Sequence, residues 1–151
     1  KDNYIYNLSV IKNLKKIELH LHLDGSIPIE TLSNLSNRPI DEIKNKVIAK
    51  EKLENLSEYL TKFDLPISYM QTKEELIEVS KNVVNYLESQ NVIYAEIRTT
   101  PREITVGEHL SEKEGIDVII KEIKRAEALY GDKITARLLL SINRSESLYG
   151  L

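Results

Sequence analysis

Cysteine is absent from the 151 residues. A disulfide framework is therefore excluded, and so is any zinc site built on Cys-x-x-Cys pairs. A basic excess is missing too. Against 24 Asp and Glu stand 21 Lys and Arg, a net charge of −3 that gives no electrostatic footprint for nucleic acid. No apolar run approaches the roughly 20 residues of a membrane span, and no signal-peptide pattern opens the chain. Repeats, low-complexity tracts and linkers are lacking as well. These absences lead to the expectation of a cytoplasmic protein that partners neither a membrane nor a nucleic acid. They leave the oligomeric state open.

What is present suits one packed domain, since 41% of the residues are apolar. Residues 17–23 read as a buried strand. Pro28 sits where a first helical turn tolerates it, and Ile29, Leu32 and Leu35 follow at helical spacing. A short charged helix is expected over 41–49. Leu56, Tyr59, Leu60 and Phe63 fit one helical stripe, a pattern that suits a packed core as well as a binding wall. Thr72-x-x-Glu75 is a capping box that opens a helix to about Ser89, with Leu76, Val83, Val84 and Leu87 inward. Residues 92–99 form a second strand. Ser111-x-x-Glu114 opens another helix, which runs to Tyr130 and ends at Gly131, and residues 135–142 form a third strand.

Strands alternating with helices predict an α/β fold with a parallel sheet. A (β/α)8 barrel needs eight strands and about 250 residues. The three strands here are expected to be the N-terminal part of such a barrel, with residues 1–151 belonging to a single barrel domain. The missing initiator Met and the abrupt stop at Gly150-Leu151 support the same expectation.

The most informative segment is His20-Leu21-His22, followed directly by Asp24-Gly25. Residues two apart on a strand share a face, so both imidazoles project together, and Ile17, Leu19, Leu21 and Leu23 are expected to form the opposite, apolar face. Two histidines on one rigid strand make half a zinc site, although the same spacing also occurs in ordinary core or surface positions. In a parallel barrel, reactive groups collect at the C-terminal ends of the strands, where this segment lies. On the second strand, Glu96, Arg98 and Thr100 share one face while Ala95, Ile97 and Thr99 take the other. Glu18 has the parity of the histidines, so a Glu18–Arg98 or Glu18–Arg137 ion pair is expected inside the barrel. The third histidine, His109, reads as a surface residue.

The run Lys16-Ile-Glu-Leu-His-Leu-His-Leu-Asp-Gly-Ser26 closely resembles the first strand of the adenosine deaminase family. Leu56-Ser-Glu-Tyr-Leu-Thr-Lys-Phe-Asp-Leu-Pro66 is similar to the helix that this family places over the purine pocket. Tyr94-Ala-Glu-Ile-Arg98 and Arg137-Leu-Leu-Leu-Ser-Ile-Asn-Arg144 resemble its second and third strands. His-x-His alone is shared by many metal-dependent hydrolases; the Leu-Asp-Gly-Ser continuation and Lys62-Phe63-Asp64 are more specific.

The resemblance implies zinc-dependent hydrolytic deamination of adenosine and 2′-deoxyadenosine to the inosine product plus ammonia, in purine salvage. It implies His20 and His22 as zinc ligands. Asp24, with His22, would lie near the ribose 5′-hydroxyl, and Tyr59, Leu60 and Phe63 would form an apolar wall on the nucleoside. The family's third zinc-binding His, its ligating Asp, the Glu beside the purine and a further His have no match here. No catalytic residue is therefore assigned in this segment, and residues 1–151 alone are expected to bind zinc poorly and not to turn over substrate. Two alternatives stay open. The N6-methyl-AMP deaminases of the same family are similar at Arg98-Thr-Thr-Pro-Arg102 and Leu138-Leu-Leu-Ser-Ile142, with Arg102 a candidate for meeting a phosphate. A non-catalytic binding module on a truncated barrel is the other.

Overall fold

The computed structural model describes residues 8–48 and 55–144. In chain order these form α1 (Leu8–Asn13), β1 (Lys16–His22), α2 (Ile29–Ser36), α3 (Ile40–Val47), α4 (Leu56–Leu60), α5 (Asp64–Ser68), α6 (Lys73–Ser89), β2 (Val92–Thr99), α7 (Glu112–Tyr130) and β3 (Thr135–Leu140). The three strands make one parallel sheet in the order β1-β2-β3. Parallel neighbours need long crossovers, and α2 to α6 and then α7 supply them. Among the described residues no helix is long and apolar enough to cross a membrane.

Both long helices begin where the sequence places them. The Thr72 hydroxyl accepts from the Glu75 N–H at 3.2 Å, and the Glu75 carboxylate accepts from the Thr72 N–H at 2.9 Å. Ser111 and Glu114 repeat the arrangement at 3.2 and 2.8 Å, so two of the N–H groups left over at each helix start are satisfied. The Glu114 carboxyl is held below its ordinary range by those Ser111 bonds. Leu76, Val83, Val84 and Leu87 of α6 are buried, in one cluster with Ile119 and Ile123 of α7 and Ala95 and Ile97 of β2. Fully burying each large aliphatic side chain contributes about 1.5–3 kcal/mol. This cluster covers one face of the sheet.

The expected single helical stripe from Leu56 to Phe63 is broken. Asn55 caps α4, its side-chain oxygen accepting from the Glu58 N–H at 2.9 Å. A 3-10 turn at Thr61–Phe63 then separates α4 from α5. Pro66 explains the tightening, because it has no N–H to offer the Lys62 carbonyl one turn back. The third strand ends two residues earlier than expected, at Leu140, although the Ser141 N–H still donates to the Thr99 carbonyl at 2.9 Å. The expected helix over 41–49 is α3, and residue 49 lies outside the described residues.

Candidate functional site

From Tyr94 to Thr99, β2 pairs with β3 without interruption, and its faces alternate as expected: Ala95, Ile97 and Thr99 are buried, while Glu96 and Arg98 lie on the other side. β1 breaks step. Glu18 stands opposite Ala95 and Leu21 opposite Ile97, so three steps on β1 match two on β2. A shift of the opposite sense lies between Lys16 and Ile17. An extra residue of this kind is a β-bulge, and with a side-chain period of two it exchanges the faces of everything beyond it.

Three expectations change as a result. The four-residue apolar face is split: Leu21 and Leu23 turn towards the core, and Leu23 is fully buried, whereas Ile17 and Leu19 stay 63% and 54% exposed. Glu18 shares its face with Ala95, opposite to that of Arg98, and pairs with neither expected arginine. Its carboxylate accepts from the His20 N–H at 3.0 Å. Arg98 donates to the Leu19 carbonyl at 3.4 Å, and Arg137 reaches Glu127 on α7 at 3.2 Å and the Ala136 carbonyl at 2.9 Å. Glu18 and Arg98 thus serve the amide and the carbonyl on either side of the Leu19–His20 peptide, inside the bulge.

Beyond the bulge His22 stands opposite Arg98, on the open face of the sheet. His20 and His22 bring their Nε2 atoms to 3.3 Å, with the rings tilted by 35°. Just past the strand, Asp24 accepts from the Gly25 N–H at 3.0 Å, and the Ser26 hydroxyl donates to the His22 carbonyl at 2.5 Å. Burial raises the Asp24 carboxyl above its ordinary value, with the Gly25 N–H and the charge of His22 pulling the other way. Gly25 sits at a close approach: a Cβ there would stand 3.0 Å from Phe63 Cε1.

All six residues expected in the site, namely His20, His22, Asp24, Tyr59, Leu60 and Phe63, line one cleft of about 1050 Å³ at the C-terminal ends of the strands. Tyr59 and Leu60 are 41% and 53% exposed, so they are a wall facing the cleft and not packed core. Tyr59 meets Phe63 edge to face at 5.3 Å between centroids. Sequence reasoning missed Glu103, Ser141 and Asn143, which also line the cleft. Their signal was position: each lies within four residues of the C-terminal end of β2 or β3, where barrel chemistry collects. His109 is exposed, away from this cleft, as expected. Among the described residues no group of three or more His, Cys, Asp or Glu gathers at one point.

The adenosine deaminase family model matches residues 15–149. The chain belongs to the adenosine deaminase family. The adenosine deaminase of Shewanella woodyi is 38% identical over 140 residues, covering 87% of this chain and 41% of that protein. The chain thus spans about 41% of the length of such a relative. Among solved structures, the N6-methyl-AMP deaminase of Arabidopsis thaliana superposes with a TM-score of 0.70 at 28% identity, over 93% of this chain and 44% of that one. An amidohydrolase of Burkholderia ambifaria with bound zinc gives 0.73 at 21% identity, over 91% and 38%, a likeness of fold alone. The three parallel strands of this adenosine deaminase family chain are the N-terminal part of a (β/α)8 barrel.

Proposed function

We propose that the whole protein is a zinc-dependent adenosine deaminase that hydrolyses adenosine and 2′-deoxyadenosine to the inosine product and ammonia. In this reading residues 1–151 are the N-terminal part of its single barrel domain, and the enzyme works in the cytoplasm in purine salvage. The observation that carries the proposal is the His20–His22 pair at the floor of the cleft. Two ligands at 2.0–2.1 Å from a tetrahedral zinc lie about 3.3–3.4 Å apart. The Nε2 atoms stand at 3.3 Å, on one face, open to the cleft. The residues fit the metal. A catalytic zinc generally takes three or more protein ligands, so the others come from outside the described residues.

Bound zinc supplies the activation of water that hydrolysis needs at neutral pH. The other roles belong to side chains. His20 and His22 would hold the metal through their Nε2 atoms. Asp24 receives the ribose 5′-hydroxyl as a hydrogen-bond acceptor, with His22 beside it. Tyr59, Leu60 and Phe63 cover one face of the purine and keep water from it. The proton transfers at the purine fall to groups beyond this segment.

A second reading, deamination of N6-methyl-AMP, draws support from the 28% identity to the Arabidopsis enzyme. Charge argues against it. Asp24, Asp64 and Glu103 line the cleft against Lys62 and Arg144, and Arg102, the residue proposed to meet a phosphate, is not in its lining. Two like unit charges about 5 Å apart repel by about 3 kcal/mol at an effective dielectric of 20. The test is kcat/KM of the intact enzyme on adenosine and on N6-methyl-AMP, with metal content measured alongside. Preference for adenosine with zinc bound is expected; preference for the nucleotide overturns the Asp24 argument.

A further inference from the structure

Gln71 is buried between α5 and α6, outside the cleft, and takes no part in the chemistry above. Its side chain nevertheless makes three hydrogen bonds, one to α5 and two to the loop between β2 and α7. Nε2 donates to the Ile67 carbonyl of α5 at 2.8 Å and to the Glu103 carbonyl at 2.7 Å. Oε1 accepts from the Gly107 N–H at 2.8 Å. Two carbonyls on one side and an amide N–H on the other admit only one orientation of the carboxamide. The Gln71 main-chain N–H is itself held by the Glu75 carboxylate at 2.9 Å, so the bridge stands on the first turn of α6.

The bridged segments are two walls of the cleft. Ile67 lines it from the side of α5, where Phe63 and Tyr59 also stand, and Glu103 lines it from the loop after β2. The loop is fitted to this bridge. A Cβ on Gly107 would stand 3.2 Å from Gln71 Cβ and 2.9 Å from His109 Cδ2. On its other side the loop sinks Ile104 against α7 at Gly115, where a Cβ would stand 2.6 Å from Ile104 Cδ1. Thr100 and Glu103 reach the cleft from a loop pinned by one carboxamide and one isoleucine.

We propose that Gln71 is a positioning residue for substrate, which sets the distance between the aromatic wall and the β2–α7 loop without touching the nucleoside. The inference rests on the deaminase reading. Its test uses the intact enzyme and Gln71→Met, which keeps the volume of the side chain and removes every hydrogen bond. KM for adenosine should rise about tenfold while kcat changes less than threefold, zinc content holds, and amide exchange at Gly107 accelerates at least tenfold. Gln71→Glu keeps the acceptor for Gly107 but loses both donors, so it should keep Gly107 protected while still raising KM; it is the fallback if the Met variant does not fold. An unchanged KM in a folded variant whose Gly107 exchanges faster overturns the proposal. So does a joint fall of kcat and melting temperature with KM intact, the mark of a structural role. A wild-type enzyme inactive on adenosine and on N6-methyl-AMP sinks the functional reading instead, and Gly107 exchange then still decides whether Gln71 holds the loop.

Discussion

β1 and β2 lie side by side in one sheet, yet only one of them keeps step through its upper half. β2 alternates buried and open residues from Tyr94 to Thr99, and its buried set packs on α6 and α7. β1 carries an extra residue between Glu18 and Leu21. Continued straight from Glu18, its even-numbered residues would face the core with Ala95, and both histidines would be buried among aliphatic side chains. The bulge sends Leu21 and Leu23 inward and the imidazoles outward in one stroke. A regular strand builds core; the irregular one turns two histidines to the cleft at its end, in line with the tendency of bulges to re-aim side chains.

The sharpest way to break this contrast is to remove what the bulge sends inward, in Leu23→Ala. Leu23 is fully buried, and truncating a core leucine to alanine costs about 2–5 kcal/mol. That is a large part of a typical domain stability of about 5–15 kcal/mol, so a marked loss is expected in urea or thermal unfolding of the intact protein. A loss below about 1 kcal/mol would show that the bulged strand contributes no core. His22→Ala comes next. It leaves the strand intact and removes one of two converging Nε2 atoms, so zinc affinity in a chelator competition should fall by more than the roughly 10–100-fold that loss of an outer partner costs. Affinity within tenfold of wild type would separate the metal from this pair.

Glu18→Ala tests the support of the bulge instead of its end. The His20 N–H loses its acceptor, and zinc affinity should fall by about 10–100-fold, with unfolding little changed because Glu18 stands outside the core. Glu18→Gln, whose side-chain oxygen still accepts, should recover most of the loss. Equal affinity in the Ala variant would mean that strand pairing alone sets the histidines.

How far the sequence could be read follows the same division. The capping boxes at Thr72 and Ser111, the span of β2 and the inward residues of α6 were all legible, because each depends on local spacing that the fold leaves undisturbed. The six residues expected in the site were named through motif resemblance, and what the structure adds is that one cleft collects them. The lower half of β1 was misread because alternation assumes an unbroken register, and a bulge is a property of two strands together. The Glu18 ion pairs failed for the same reason. Gln71 was silent for another: two of its three side-chain bonds reach main-chain atoms 32 and 36 residues away, which carry no sequence signature.

The smallest effect is expected where β1 leaves the sheet. β2 exits through Pro101 into a turn whose Ile104 is buried, but β1 exits through Gly25, over which the Phe63 ring lies. In Gly25→Ala the new Cβ would meet Phe63 Cε1 at 3.0 Å, so the ring must yield by a few tenths of an ångström. Its edge contact with Tyr59, of a kind worth about 0.5–1.5 kcal/mol, weakens with it. Because Leu23 and the histidines do not move, stability and zinc affinity should hold, while KM for adenosine rises about threefold through the displaced wall. If zinc affinity falls and KM does not, the strain has passed back along β1 to His22, whose Cβ lies 3.9 Å from the same position. The bulged strand would then be the softer of the two, and its rigidity at the metal site would depend on the glycine as much as on Glu18.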